Sequence, residues 1–184
     1  TRTGYARPLI WNPRSGERHD LPIDSIEGEV IPWDWSPDAK QVLLCQLYQA
    51  EYQLYIYDIE HQSVTRLNHP LGVLGADKPG SFTADGDILV TWQDASNPPQ
   101  LVLLDGISGE LKQVMLSAGH SPPGIPLRSV RLLGANGDPV QCWLATPAGE
   151  GPFPTILHTH GGPEWVTCQH LTPARQTWLD HGFA

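Results

Sequence analysis

The sequence predicts a mixed fold, with β-propeller blades in four-stranded repeats followed by the opening part of an α/β domain. Three observations carry this expectation. Strand-turn-strand units recur with a period of about 47 residues. The period stops at a proline-rich stretch, residues 117–127. Beyond it a strand, a glycine turn, a helix signal and a new apolar start follow one another in the order of a parallel sheet with helices packed on it.

The repeats come first along the chain. Residues 5–21, 53–67 and 100–116 align as an apolar strand ending in Asn12, Asp58 or Asp105, a four-residue turn, and a second strand with alternating polar positions. Between them lies a second repeated pair. Trp33-Asp34-Trp35-Ser36-Pro37-Asp38-Ala39 precedes the strand pattern 41–47, and Gly80-Ser81-Phe82-Thr83-Ala84-Asp85-Gly86 precedes the pattern 87–93. Short strands at this period, punctuated by Asp, Gly and Pro, describe a blade that buries its faces only against neighbouring blades. Ser36-Pro37-Asp38 fits a type I turn and Ala84-Asp85-Gly86 a hairpin turn, so Asp38 and Asp85 are read as turn formers rather than metal or ligand contacts. Trp33, Trp35, Trp92, Tyr48, Tyr52, Tyr55 and Tyr57 are read as blade core, the alternative being an aromatic binding platform. About two and a half blades do not close a ring, so residues 1–118 are expected to be the last blades of a longer propeller.

Pro122, Pro123, Gly124 and Pro126 exclude a helix or central strand from residues 119–127, which read as a linker with His120 exposed in it. From 128 onward the pattern changes. Residues 129–133 read as a strand, Asn136-Gly137-Asp138 as a hairpin turn and 140–146 as the returning strand. The run 153–157 reads as a short buried strand ending in the turn Gly161-Gly162-Pro163. Thr172 is placed to cap a helix with Pro173 at its first position, Ala174 and Trp178 share one of its faces, and Gly182 stops it. Phe183 and Ala184 begin a further strand.

Composition bounds the function classes. The chain has 184 residues, 40% of them hydrophobic, and no run near the roughly 18 apolar residues a membrane-spanning helix needs. A formal net charge of −9 with no basic cluster argues against nucleic acid or an anionic membrane surface as partner. Cys45, Cys142 and Cys168 are odd in number and lack CxxC spacing, which points to free thiols in a reducing compartment, the cytoplasm. Nothing beside Cys168 marks it as an activated nucleophile.

Residues 157–163, LHTHGGP, admit three readings. His158 and His160 alternate on one strand and share a face suited to a metal, with His170 or His181 as a third ligand, although no HxHxD or HExxH pattern accompanies them. The Gly-Gly-Pro turn alternatively joins strand to helix, with His160 hydrogen-bonded into it. The third reading is an oxyanion loop of the α/β-hydrolase type, in which a main-chain N–H from the loop after a strand stabilises a developing negative charge. Pro163 has no N–H, so the donors available are those of Gly161 and Gly162.

Several blocks together resemble the prolyl oligopeptidase family of serine peptidases, most closely its acylaminoacyl-peptidase and dipeptidyl-aminopeptidase-like branch. They are the Ser36-Pro37-Asp38-Ala39 turn inside a propeller repeat, the hairpin from Asn136 to Pro147, Phe153-Pro154, and above all His160-Gly161-Gly162-Pro163. The resemblance implies a propeller covering an α/β-hydrolase domain that begins near 128, with short peptides or acyl-peptides as substrates and no cofactor or metal. It implies the Gly162 N–H as one oxyanion-hole donor, with Gly161 and His160 shaping the loop. The family's nucleophile sits in a GxSxG elbow, which this sequence lacks, and its triad Asp and His come later still. The chain is therefore read as a fragment in which the hydrolase domain is truncated, and is expected to be inactive alone. An esterase or lipase, or a propeller interaction module fused to an inactive hydrolase, are the alternatives.

Overall fold

The computed structural model describes residues 4–162 and 165–184. Strands β1 (Leu9–Trp11) and β2 (Arg18–Asp20) form an isolated hairpin. Strands β3 (Glu29–Trp35), β4 (Gln41–Tyr48), β5 (Glu51–Asp58) and β6 (Ser63–Arg66) follow as an antiparallel four-stranded meander. The next sheet runs from β7 (Val73–Leu74) and β8 (Ser81–Phe82), both paired to β9 (Ile88–Gln93), through β10 (Gln100–Leu104) to β11 (Leu111–Ser117). A two-stranded unit and two larger antiparallel sheets thus follow one another along the chain.

Side-chain alternation explains the stacking. In β4 Leu43 and Cys45 face one way and Val42 and Leu44 the other, and all four are buried, because the middle sheet is covered on both faces. On one face Leu43, Leu54 and Ile56 pack with Leu74, Ile88, Val90 and Val102 of the following sheet. On the other, Val30, Val42 and Leu44 pack with Leu21, Ile23 and Ile26 of the segment after β2. Each fully buried leucine contributes about 1.5–3 kcal/mol of transfer free energy. A polar tie adds to the packing between blades, where the Phe82 N–H donates to the Asp34 carboxylate at 2.8 Å.

The turns form as the repeats predict. The Ala39 N–H donates to the Ser36 carbonyl at 2.8 Å, and the Gly86 N–H to that of Thr83 at 3.0 Å. The Ser36 hydroxyl and the Lys40 N–H both donate to the Asp38 carboxylate, and these bonds hold its pKa below the usual range. Aromatic placement is only partly as expected. Tyr57 is buried and Trp33 packs against the interblade core, but Trp35 is 47% exposed, because it ends β3 beyond the covering sheet.

Residues 118–127 carry no regular element and lie between the two parts of the chain rather than hanging free. The Gly124 N–H donates to the Ser96 carbonyl, and the Ile125 N–H to the Gln176 side chain at 2.9 Å. A Cβ at Gly124 would stand 2.3 Å from the Ala95 carbonyl oxygen, so glycine is required at this joint. Strands β12 (Arg128–Leu133) and β13 (Pro139–Leu144) then form a hairpin closed by the Gly137 N–H on the Gly134 carbonyl. Helix α1 spans Pro173–Asp180.

Three expectations here are corrected. Residues 153–157 are extended but not buried, with Leu157 84% exposed, because no layer of the described chain covers them. In α1 the face shared by Ala174 and Trp178 is the exposed one, and Leu179 is the residue that packs inward. Thr172 occupies the N-cap position with extended backbone, yet its side chain makes no capping bond.

Candidate functional site

The candidate loop leaves an extended segment whose one strand-like partner among the described residues is Ala184. The Ile156 N–H donates to the Ala184 carbonyl at 2.8 Å, and the Ala184 N–H to the Pro154 carbonyl at 2.9 Å. This is the bond pattern of one parallel bridge centred on Thr155 and Ala184. Between the two segments α1 closes on itself, with the Gly182 N–H donating to the Leu179 carbonyl and the Phe183 N–H to that of Trp178. Ala184, just after the helix, thus lies beside the extended segment that precedes the loop.

At the turn, His158, His160, Gly161 and Gly162 are all exposed. His160 Nδ1 lies 3.4 Å from the Gly161 carbonyl oxygen, which orients the ring along the loop. Gly162 has φ +72°, and a Cβ there would sit 2.9 Å from Trp165 Cδ1, so both backbone and neighbour demand glycine. Among the described residues the N–H groups of Gly161 and Gly162 have no hydrogen-bond acceptor. Pro163, on which the sequence reading of the turn also rests, lies outside the described residues together with Glu164. No group of three metal-ligating side chains occurs among the described residues, so the His158 and His160 pair has no third ligand in His170 or His181.

The chain then turns back onto the blades. The Trp143 indole N–H donates to the Thr167 carbonyl at 2.7 Å, and Cys168 is buried with Ala50 and Val73 against Leu47 and Tyr52. Cys168 is free and hydrogen-bonded to Tyr52, and burial raises its pKa, so the thiol is protonated and inert as a nucleophile. Burial also pushes the Tyr52 phenol up to about 12. Partial burial, then the neighbouring Arg175 guanidinium, hold the His170 imidazole below its usual value. This return leaves a groove of about 500 Å³ with Tyr52, Val73 and Gln93 of the blades on one side and Trp165, Cys168 and His170 on the other. Sequence reasoning did not find the groove. Its one visible signal was Tyr52 as a possible binding aromatic.

Neither a family model nor a curated protein sequence matches the chain. Solved structures do, and they define a class: the neighbours are serine peptidases of the prolyl oligopeptidase and dipeptidyl peptidase 4 kind. Dipeptidyl peptidase 4 of Porphyromonas gingivalis superposes with a TM-score of 0.74 over 99% of this chain at 11% identity. A puromycin hydrolase complexed with PGG gives 0.74 over 99% at 15% identity, and a puromycin-hydrolysing peptidase of Mycobacterium tuberculosis gives 0.69 over 91% at 19% identity. At these identities the likeness is one of fold. The chain spans 27% of the length of the Porphyromonas and Mycobacterium proteins and 29% of the puromycin hydrolase.

Proposed function

We propose that this chain is the propeller-to-hydrolase junction of a serine peptidase acting on short peptides or acyl-peptides. In this reading residues 1–118 are the final propeller blades, 119–127 the linker, and 128–184 the start of an α/β-hydrolase domain. The observation that carries it is the coincidence of the peptidase fold likeness with a His160-Gly161-Gly162 turn at the end of an extended segment, its two N–H groups open. The Gly162 N–H would donate to the oxyanion formed when a serine attacks the scissile carbonyl, Gly161 would give the carbonyl close access, and His160 would hold the loop. The serine, and the histidine and aspartate that activate it, belong in this reading to sequence beyond Ala184.

The test has two parts. The sequence following Ala184 should contain a GxSxG elbow and then an Asp and a His, and the complete protein should cleave peptide amides and be labelled by a fluorophosphonate. In that protein Gly162→Ala keeps the N–H but is strained at φ +72° and crowds Trp165, so it should pull the donor out of position and lower kcat by up to about 10²–10³-fold, the scale of losing one oxyanion donor. A Gly162→Ala enzyme of unchanged kcat would exclude this loop as the oxyanion donor, and absence of the elbow would exclude the peptidase.

A further inference from the structure

The glycine pair of the candidate loop carries an inference that rests on the peptidase reading and deepens it. We infer that Trp165 is a positioning residue for the oxyanion donor, its indole holding Gly162 in the conformation that aims the N–H. A glycine restricts its own backbone angles least of all residues, so two in succession leave a donor whose direction is not set locally. An oxyanion donor is effective only when its direction is fixed before charge develops. A neighbour of the pair must therefore fix it. Among the described residues no atom beyond the chain neighbours lies within 4 Å of the place a Cβ would take at Gly161. At Gly162, with φ +72°, the three nearest atoms to that place are Trp165 Cδ1, Nε1 and Cγ, at 2.9, 3.5 and 3.7 Å. The pyrrole edge of one indole thus packs on the donor residue.

The main chain on both sides explains why the indole can act as a clamp. Before the loop, the paired bonds between Ile156, Pro154 and Ala184 hold the extended segment. After it, the Trp143 indole N–H donates to the Thr167 carbonyl at 2.7 Å, and Cys168 is 5% exposed beside Ala50 and Val73. Trp165 starts two residues from the first of these later anchors, so its ring has a short lever and a fixed origin. The ring itself is 75% exposed, so core burial does not dictate where it lies. What it covers is Gly162. His160 acts on the neighbouring peptide, with Nδ1 3.4 Å from the Gly161 carbonyl oxygen, and the two side chains grip the glycine pair from either end.

The experiment uses the complete protein, with hydrolysis of a peptide amide and inhibition by a peptide boronic acid, whose adduct with the serine is a tetrahedral anion. Trp165→Ala should lower kcat by up to about 100-fold, the scale of misplacing a catalytic group by about 1 Å, with KM and Tm little changed because the ring is exposed. Boronic acid binding should weaken in step with kcat, since both depend on the donor meeting the anion. Trp165→Phe keeps a ring on Gly162 and should recover most of the loss. Trp143→Phe removes only the N–H that holds Thr167, and should give a smaller loss of the same kind. Trp165→Ala combined with Gly162→Ala should lose less than the product of the two single losses, because both displace the same N–H and the ring that crowds the new methyl is gone. A tryptophan that serves only the fold would give losses that multiply. Unchanged kcat in Trp165→Ala, or multiplying losses in the double variant, overturns the positioning role and leaves the peptidase standing. A complete protein that neither cleaves peptides nor reacts with a fluorophosphonate sinks the peptidase reading instead. In that protein backbone amide relaxation decides the clamp by itself: a Gly162 order parameter that falls in Trp165→Ala supports it, and one that holds sinks both.

Discussion

His69 shows how much a single buried ring decides. It is 7% exposed, and both ring nitrogens are in use: Nε2 accepts the Leu54 N–H at 3.0 Å, and Nδ1 donates to the Pro70 carbonyl at 2.9 Å. The Leu54 carbonyl already accepts the Leu67 N–H, so the imidazole completes the ladder where β6 has ended. Only the neutral tautomer with the proton on Nδ1 makes both bonds, and burial holds the pKa below its usual value of about 6.5. The unfolded chain takes up this proton as pH falls through about 6.5 while the native ring does not, so stability from His69 is complete above that pH and is lost on acidification. His170 adds a contribution of the same sign. The urea midpoint should therefore drop between pH 7 and 5.5, and the drop should shrink in His69→Gln; equal pH slopes in variant and parent would rule the assignment out. The candidate loop, by contrast, was legible in the sequence because His160, Gly161 and Gly162 are adjacent along the chain. The groove was not, because Tyr52, Gln93 and Trp165 meet only after three distant segments fold together.

At the level of elements, one turn is used three times. The Asn12 side chain accepts the N–H groups of Arg14 and Ser15, Asp58 that of His61, and Asp105 those of Ile107 and Ser108. Four positions on, the backbone is left-handed each time: Gly16 at φ +76°, Gln62 at +48° and Gly109 at +79°. Gln62 is exposed and carries a steric cost of about 1–2 kcal/mol that the two glycines avoid. Glycine returns about 0.4–1 kcal/mol of that through the entropy of the unfolded chain. Gln62→Gly should thus raise the unfolding free energy by a net of up to about 1.6 kcal/mol, and the denaturation midpoint with it, at an unchanged m-value, and a lower midpoint would show that the side chain does more than occupy the turn. Such turns are why the repeated strand pairs are legible in the sequence: Asn, Asp and Gly fix the chain reversal locally, and the period follows. What packing decides is not. Beside β9 the pairing is divided between two short strands, β7 and β8, which no turn residue announces. The run 153–157 reads as buried from its apolarity, but apolarity reports an affinity for cover, not the presence of a covering layer.

For the molecule as a whole, the distribution of that cover is the governing fact. The middle sheet is enclosed on both faces, whereas every residue of β11 is exposed, including Met115 at 49% and Leu116 at 67%, and Trp11 on the outermost hairpin is 60% exposed. Strand β11 also ends its sheet, so among the described residues its outer main-chain groups have no strand beside them. A bare apolar face next to an open strand edge is a template for association. The 184-residue chain in isolation should self-associate with rising concentration, as read by light scattering. Val114 and Leu116 lie on either side of a register shift, opposite Val102 and Leu101, so Val114→Lys with Leu116→Lys places one cation on each face of this edge strand. Both sites are already exposed, so stability should hold while association falls. Simple charge repulsion does not explain that fall, because the substitutions make the net charge of −9 less negative and bring the chain nearer neutrality. A parent chain that stays monomeric at high concentration, or a lysine pair that associates as before, would remove β11 as the responsible surface.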